Sequence, residues 1–543
     1  MTQRTAGQGD YTVKASASTV LPVAVAPRRG APEPRFDVRH PGLVVLIALV
    51  FGSLVVGVAA SRGIVPGVVG VLAIAVTLWA VRNPATGAIA LVAIVPACSG
   101  MRRGLPVPGL RLGELLTVGF AVMLLTTAGR SQWRSWRAFD WLALGYVVAT
   151  FSLGLLDTLL RGDSLSGDDL GKLLAPLQFF LLYRAVLVAL PQREQRVRAL
   201  DWLLIGSLVV SAAAMLQALQ VPAIDSFLVT FTGEDWSGRL TWALPRVNGL
   251  FPHWTMLAGY LFSIIVVCAA LLLGGVGGRR RRLVLFTVTA AAVALVLTVT
   301  MAPMLGALAG TLLLAWWYGR AGRVLVYAAV ACAVLLIAFQ PLLSQRADEQ
   351  FETQATSSSE HVLVPHTVTN RIGFWTDQYL PALAGRWLTG YGPQVPPEVT
   401  WKFTESAYIA LLLRGGLPLL ALYVGMTLAL ALVALDVARR RARDPRAPAR
   451  AGPEADEFDR VECALARSLF VLIVVLAVIQ ITAPYFTTTG LPHVWWILAA
   501  FVAGAASQDR RQLVHERTTV RQASRRSVLA TAAPNAAASP PAA

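Results

Sequence analysis

HWTMLAGYLFSIIVVCAALLL, residues 253–273, runs directly into GGVGGRRRR, residues 274–282. The first stretch contains no Asp, Glu, Lys or Arg. At about 1.5 Å per residue it is long enough to cross a hydrocarbon core of roughly 30 Å as a helix. Lipid offers the backbone no hydrogen-bond partner, so a crossing segment must satisfy its peptide groups internally, and the helix does this. The second stretch ends the run with glycines and four consecutive arginines, which belong in water.

The same alternation recurs along the chain and predicts fourteen spans: 43–60, 64–81, 85–97, 110–127, 139–160, 172–190, 200–219, 253–273, 283–300, 304–318, 324–340, 406–438, 465–482 and 492–506. The third is short enough to be re-entrant. The twelfth carries Arg414-Gly415-Gly416, which predicts a broken or kinked helix. The expected fold is all-α, a polytopic transmembrane bundle of 12–14 spans with a large, partly helical external loop.

Composition agrees. The 543 residues are 56% hydrophobic and 14% charged, with a mean hydropathy of +0.60; a soluble chain carries roughly 25% charged residues. The net charge of +17 does not indicate nucleic-acid binding, because the basic residues lie in short loops between apolar runs and in the tails. Cys98, Cys268, Cys332 and Cys463 lie in or beside apolar runs, far apart, with no CxxC spacing. They read as small buried hydrophobes, with no disulfide framework or zinc site.

Loop arginines orient the bundle. Arg130, Arg134 and Arg137, then Arg193, Arg196 and Arg198, then residues 279–282, Arg320 with Arg323, and residues 439–443 fall on one side of the alternation, together with the carboxy-terminal tail. The positive-inside rule makes that side cytoplasmic and places both termini there. The expected division is a disordered cytoplasmic tail over 1–42, a first part of the bundle over 43–340, an extracytoplasmic loop over 341–404, the rest of the bundle over 405–506, and a disordered cytoplasmic tail over 507–543. The opposite side receives 161–171, 220–252 and the long loop. Loops that long in a compact bundle are functional or disordered.

There is no Walker A loop, dinucleotide glycine turn, HExxH or Cys/His ligand cluster, so no cofactor and no metal are expected. The informative residues lie on the outer side. Arg239 and Arg246 stand where the positive-inside rule disfavours arginine, and His253 follows at a span entrance. Interfacial arginines reaching headgroups are the plain reading; a bidentate phosphate clamp is the functional one. In the long loop, Trp375, Tyr379, Leu383 and Trp387 recur every four residues as one helix face, bent at Pro381. A helix lying on the membrane fits this pattern, and it could roof a cavity and point Arg371 and Arg386 into it. Glu405, Tyr408 and Arg414 open the twelfth span. Glu405 and Arg414 lie roughly 13 Å apart along a helix axis, too far to pair. Asp157 and Arg184 also fall near spans and are set aside, Arg184 being close enough to the cytoplasmic end to snorkel.

Three of these segments together resemble the O-antigen ligase and O-antigen polymerase superfamily of bacterial envelope glycosyltransferases. Arg246-x-x-Gly249-x-Phe251 with Pro252-His253 is similar to its arginine motif, and Arg371-x3-Trp375 with residues 388–393 to its external-loop stretch. Ser406 followed by nine residues and Gly416 is similar to its His-Asn-x9-Gly signature. Glu405 stands where the ligases carry histidine, and Thr300-Met301 replaces a Ser-Arg pair. The resemblance implies a donor glycan on a polyprenyl diphosphate at the outer face, a glycan or lipid acceptor, and membrane lipids as surroundings. It implies catalytic roles for Arg246, Arg371 and Glu405, with Arg239, His253, Trp375, Arg386, Tyr408 and Arg414 binding substrate. A secondary transporter or lipid-linked glycan flippase is the alternative from a different class, and a non-catalytic scaffold a third.

Overall fold

A computed structural model describes residues 83–103, 111–127, 136–162, 164–234, 246–340, 344, 366–394, 399, 404–443, 453–486 and 490–532. The first two expected spans, the amino-terminal tail and Arg239 lie outside the described residues. Each of the other twelve expected spans is a helix. They are α1 (Pro84–Cys98), α2 (Leu112–Thr127), α3 (Ala138–Leu160), α4 (Gly167–Ala189), α5 (Arg193–Ala218), α7 (Trp254–Leu273), α8 (Gly278–Leu297), α9 (Met301–Trp317), α10 (Ala321–Ala338), α12 (Ala407–Arg443), α13 (Pro453–Ile479) and α14 (Leu491–Ala532). Two more helices fall in expected loops, α6 (Pro222–Thr232) and α11 (His366–Phe374). Six of the described helices are long and apolar enough to cross a membrane, and four shorter ones are apolar.

The run that opens the sequence reading is the central helix. α7 is apolar all round, as buried helices are, and residues 257–271 are buried without interruption. It packs on α8, α9 and α13. α12 lies against α3 and α13, α5 against α1 and α8, and α4 against α14, α2 and α3. Outward positions are equally apolar: Trp316 and Ile337 are three-quarters exposed, as a surface facing lipid requires.

The two sets of loops gather at opposite ends. At the arginine-rich end, Glu462 is held by Arg196 at 2.5 Å, Arg441 at 2.7 Å and Arg193 at 3.3 Å. Arg280 pairs with Asp201 at 2.8 Å and with Glu457. Arg184 does not snorkel: it is buried, pairs with Asp140 at 2.9 Å and lies 4.9 Å over Trp136. An internal carboxylate is a better partner for it than distant water.

α14 runs from Leu491 to Ala532, through the expected start of the carboxy-terminal tail at residue 507. Arg137 donates to Ser507 at 2.7 Å, Arg196 to Gln508 at 2.8 Å and Arg441 to Asp509 at 2.9 Å, which anchors the first turns beyond the span. Gln, Arg, Glu and Ala then carry the helix onward, since all four are strong helix formers.

α12 breaks where its sequence predicts. Gly415 (φ −162°) and Gly416 (φ +64°) are non-helical. A Cβ on Gly416 would lie 2.4 Å from the Trp387 carbonyl oxygen, so only glycine lets the loop before α12 dock there. Leu417 N–H donates to that same oxygen at 2.7 Å.

Candidate functional site

Arg371 lies in the last turn of α11 and Glu405 two residues before α12. Arg371 Nε donates to Glu405 Oε2 at 3.0 Å, with side chains 28% and 22% exposed. Both groups are therefore oriented and reachable. The start of α12 is fixed from below, where Ala407 N–H donates to the Gln480 carbonyl at 2.9 Å.

Two buried tyrosines share this electrostatic environment. Tyr379 is pushed up to about 12 by burial and by the Glu405 charge. Tyr485 is also raised, by burial first, with Arg371 opposing the shift and Glu405 adding to it. Both stay neutral hydroxyls at physiological pH. Tyr485 also sits against Gly259 of α7, so the segment after α13 touches the helix that follows Arg246.

The roof is helical, with an added feature. After α11 the chain forms a π-helical turn, Trp375–Tyr379, and a last turn, Leu380–Ala382. Tyr379 and Leu383 do not lie on a membrane surface: they are fully buried and form a separate small core with Tyr391, Leu412 and Leu413. Trp375 packs against this core. Trp387, the last member of the expected stripe, lies beyond the helix in a turn and is 40% exposed.

Arg246 opens a rigid turn. Gln217 Oε1 accepts from Asn248 N–H at 3.0 Å and from Gly249 N–H at 2.8 Å, while Gln217 Nε2 donates to Asn248 Oδ1 at 2.7 Å. Asn248 Nδ2 closes the turn onto the Phe251 carbonyl at 2.6 Å. α1 ends directly beneath it. A Cβ on Gly100 would lie 1.9 Å from the Leu250 carbonyl oxygen, which leaves no room for any side chain. The Arg246 guanidinium lies 5.1 Å over the Trp254 ring. His253 caps α7: its Nδ1 accepts from Thr255 N–H at 3.2 Å.

A second polar cluster was not foreseen. Asp157, near the end of α3, receives Arg386 Nη1 at 2.8 Å and Arg161 Nε at 3.0 Å. Both guanidiniums face the Tyr391 ring, at 4.7 and 5.7 Å. Arg161 also donates to the Tyr391 carbonyl at 2.8 Å.

The structure thus joins Arg371 to Glu405, and sends Arg386 to Asp157 instead. After α13, Tyr485 lies near the Arg371–Glu405 pair and Gly490 lies against Phe251. Tyr408 points elsewhere and donates to the Ala477 carbonyl at 2.6 Å, tying α12 to α13. Asp157, Arg161, Gln217, Asn248, Gln480 and Tyr485 were missed. Of these, Asp157 carried a signal, a carboxylate within a span.

Fold and site define a multi-pass helical membrane protein with arginine–carboxylate pairs grouped at the end opposite its basic loops. Residues 285–424 match the family model Wzy_C, described as O-Antigen ligase. That match supports the resemblance to the O-antigen ligase and polymerase superfamily. It holds Arg371, Trp375, Arg386, Glu405, Tyr408 and Arg414, whereas Arg239, Arg246 and His253 precede it. No curated protein matches the chain.

Proposed function

We propose that the protein is a membrane glycosyltransferase that polymerises or ligates polyprenyl-diphosphate-linked oligosaccharides at the outer face of the cytoplasmic membrane. The Arg371–Glu405 ion pair carries this reading. It sets a fixed cation beside a carboxylate at the end of the bundle that the positive-inside rule assigns to the exterior.

Transfer needs two things. The acceptor hydroxyl oxygen bonds to the anomeric carbon of the donor as its proton passes to a base, and the bond from that carbon to the diphosphate oxygen breaks. The departing polyprenyl diphosphate keeps the electron pair. Glu405 is the base: Arg371 holds Oε2, which leaves Oε1 for the acceptor hydroxyl. Arg371 and Arg246 stabilise the charge growing on the diphosphate, and pre-oriented guanidiniums do this without a metal. Trp375, four residues after Arg371 on the same helical segment, offers a sugar-stacking ring. His253 acts indirectly, by holding the first turn of α7 beneath the Arg246 segment.

Deletion of the gene followed by analysis of lipid-linked glycans tests this function. Accumulated single repeat units identify a polymerase, and accumulated full-length chains a ligase. Unchanged glycans with altered solute uptake would sink the reading and favour a transporter.

A further inference from the structure

The loop before α12 does more than rest on the Gly415-Gly416 break: it is spliced into it. In an unbroken helix Leu417 N–H would donate to the Leu413 carbonyl. Here Leu417 N–H donates to the Trp387 carbonyl at 2.7 Å, and the Leu413 carbonyl accepts from Tyr391 N–H at 2.5 Å. One helical hydrogen bond is opened, and the turn 387–391 completes both of its halves. The turn also closes on itself, with the Arg386 carbonyl accepting from Gly390 N–H at 2.8 Å. Backbone groups freed within a bilayer have to be paired by protein in this way, since lipid offers them no partner.

α3 shows how deep the turn lies. Exposed apolar side chains run along that helix from Trp141 to Leu160, a rise of ~29 Å that matches a hydrocarbon core of roughly 30 Å. The spliced turn meets α3 short of the far limit. A Cβ on Gly392 would lie 2.8 Å from the Gly154 carbonyl oxygen, and one on Gly415 would lie 3.4 Å from the Leu153 side chain. From Gly154 the apolar surface continues through Leu156 and Leu159 to Leu160, ~9 Å further along the axis. α12 agrees. Leu417, Val424, Leu428 and Leu432 are exposed, at spacings that put them on one face of the helix. Leu388, 67% exposed, extends that face beyond Leu417, since a Cβ on Gly416 would lie 2.6 Å from the Leu388 carbonyl carbon. Arg386, just before Trp387, is turned onto Asp157, so its charge is paired, as a charge at this depth has to be.

We propose that the turn 387–391 is re-entrant, with the Trp387 and Leu388 side chains immersed in the hydrocarbon of the leaflet at the end away from the basic loops. Lipid acyl chains cover this surface, because it continues a lipid-facing stripe at a depth that excludes water. The turn is then part of the bundle wall and seals the gap that the α12 break would otherwise open to lipid. Nothing in this placement depends on glycan transfer.

A nitroxide attached at Leu388→Cys tests it, in the full chain with Cys98, Cys268, Cys332 and Cys463 replaced by alanine and held in nanodiscs. Collision of the label with oxygen, which concentrates in hydrocarbon, is compared with its collision with a water-soluble nickel chelate. Leu428→Cys on the α12 stripe and Asp377→Cys, exposed on the π-helical turn, supply the lipid and water references. The oxygen-to-nickel ratio at 388 should match that at 428 and exceed that at 377 by about tenfold or more, because a polar chelate is excluded from hydrocarbon. Nickel access as free as at 377 overturns the proposal, since the turn would then face water. Low access to both reagents overturns it too, since protein, such as a second copy of the chain, would then cover the patch. Should Leu388→Cys fail to fold, Trp387→Cys carries the label and is read against the same two references.

Discussion

Arg371 and Glu405, 34 residues apart in sequence, meet through Arg371 Nε and Glu405 Oε2 at 3.0 Å. The arginine belongs to the long loop before α12 and the carboxylate to the threshold of a span, so the contact exists only when the loop is docked. Glu405→Gln is expected to lower glycan transfer by about 10²–10⁴-fold. Glu405→His should retain measurable transfer, because imidazole can also take the proton. Arg371→Ala combined with Glu405→Gln should cost less than the sum of the single losses, as coupled groups do. Transfer measured on purified protein decides; full activity in Glu405→Gln removes the base.

Asp157 neutralises two arginines at once. Asp157→Asn leaves Arg161 and Arg386 without their carboxylate and should cost about 3 kcal/mol. Arg386→Ala, whose side chain is 37% exposed, should cost about 1 kcal/mol or less. Thermal unfolding of both variants in one detergent checks the order, and equal losses would contradict it.

His253 is a helix cap in this structure. His253→Asn keeps a capping acceptor and should preserve stability and transfer, whereas His253→Ala should lose about 1 kcal/mol. Loss of transfer in His253→Asn with stability intact would mean that the imidazole does chemistry.

Gly416 and Gly415 are neighbours with unequal tolerance. Gly416→Ala adds a left-handed strain of about 1–2 kcal/mol to a backbone collision with Trp387. Gly415→Ala meets side chains alone, Leu419 at 2.9 Å and Leu153 at 3.4 Å. Transfer should fall much further in Gly416→Ala, together with faster proteolysis of the undocked loop.

Tyr379 links stability to alkaline pH. Its hydroxyl is raised from 10.0 to about 12 in the fold, so below pH 10 it is neutral in folded and unfolded chains alike and its full contribution is present. As pH rises from 10 through about 12, only the unfolded chain ionises it, and stability is lost. Melting temperature followed across that window should decline less steeply in Tyr379→Phe.

Several parts of the site are legible in the sequence alone. Arg246 and Arg371 stood out because they break a charge rule on the outer side, and Gly415-Gly416 because two glycines interrupt an apolar helix. Asp157 was passed over because its two partners come from the end of its own helix and from residue 386, and no spacing rule joins them. Gln217 and Gln480 carried no signal. Each is an ordinary polar residue at a helix end, and its role depends on which backbone groups the fold brings within reach.

The sequence by itself determined the medium and the architecture. Runs of about twenty apolar residues can be solvated only by lipid or by one another, and each must then be a helix, whatever its neighbours. Periodic loop arginines likewise sorted the two ends, because charge avoids hydrocarbon locally, residue by residue. The tertiary structure alone decided which charges meet: Arg371 with Glu405, and Arg386 with Asp157. Ion pairing falls off over a few ångströms, and separations that small between distant residues are set by helix packing and loop docking, which have no local trace in the chain.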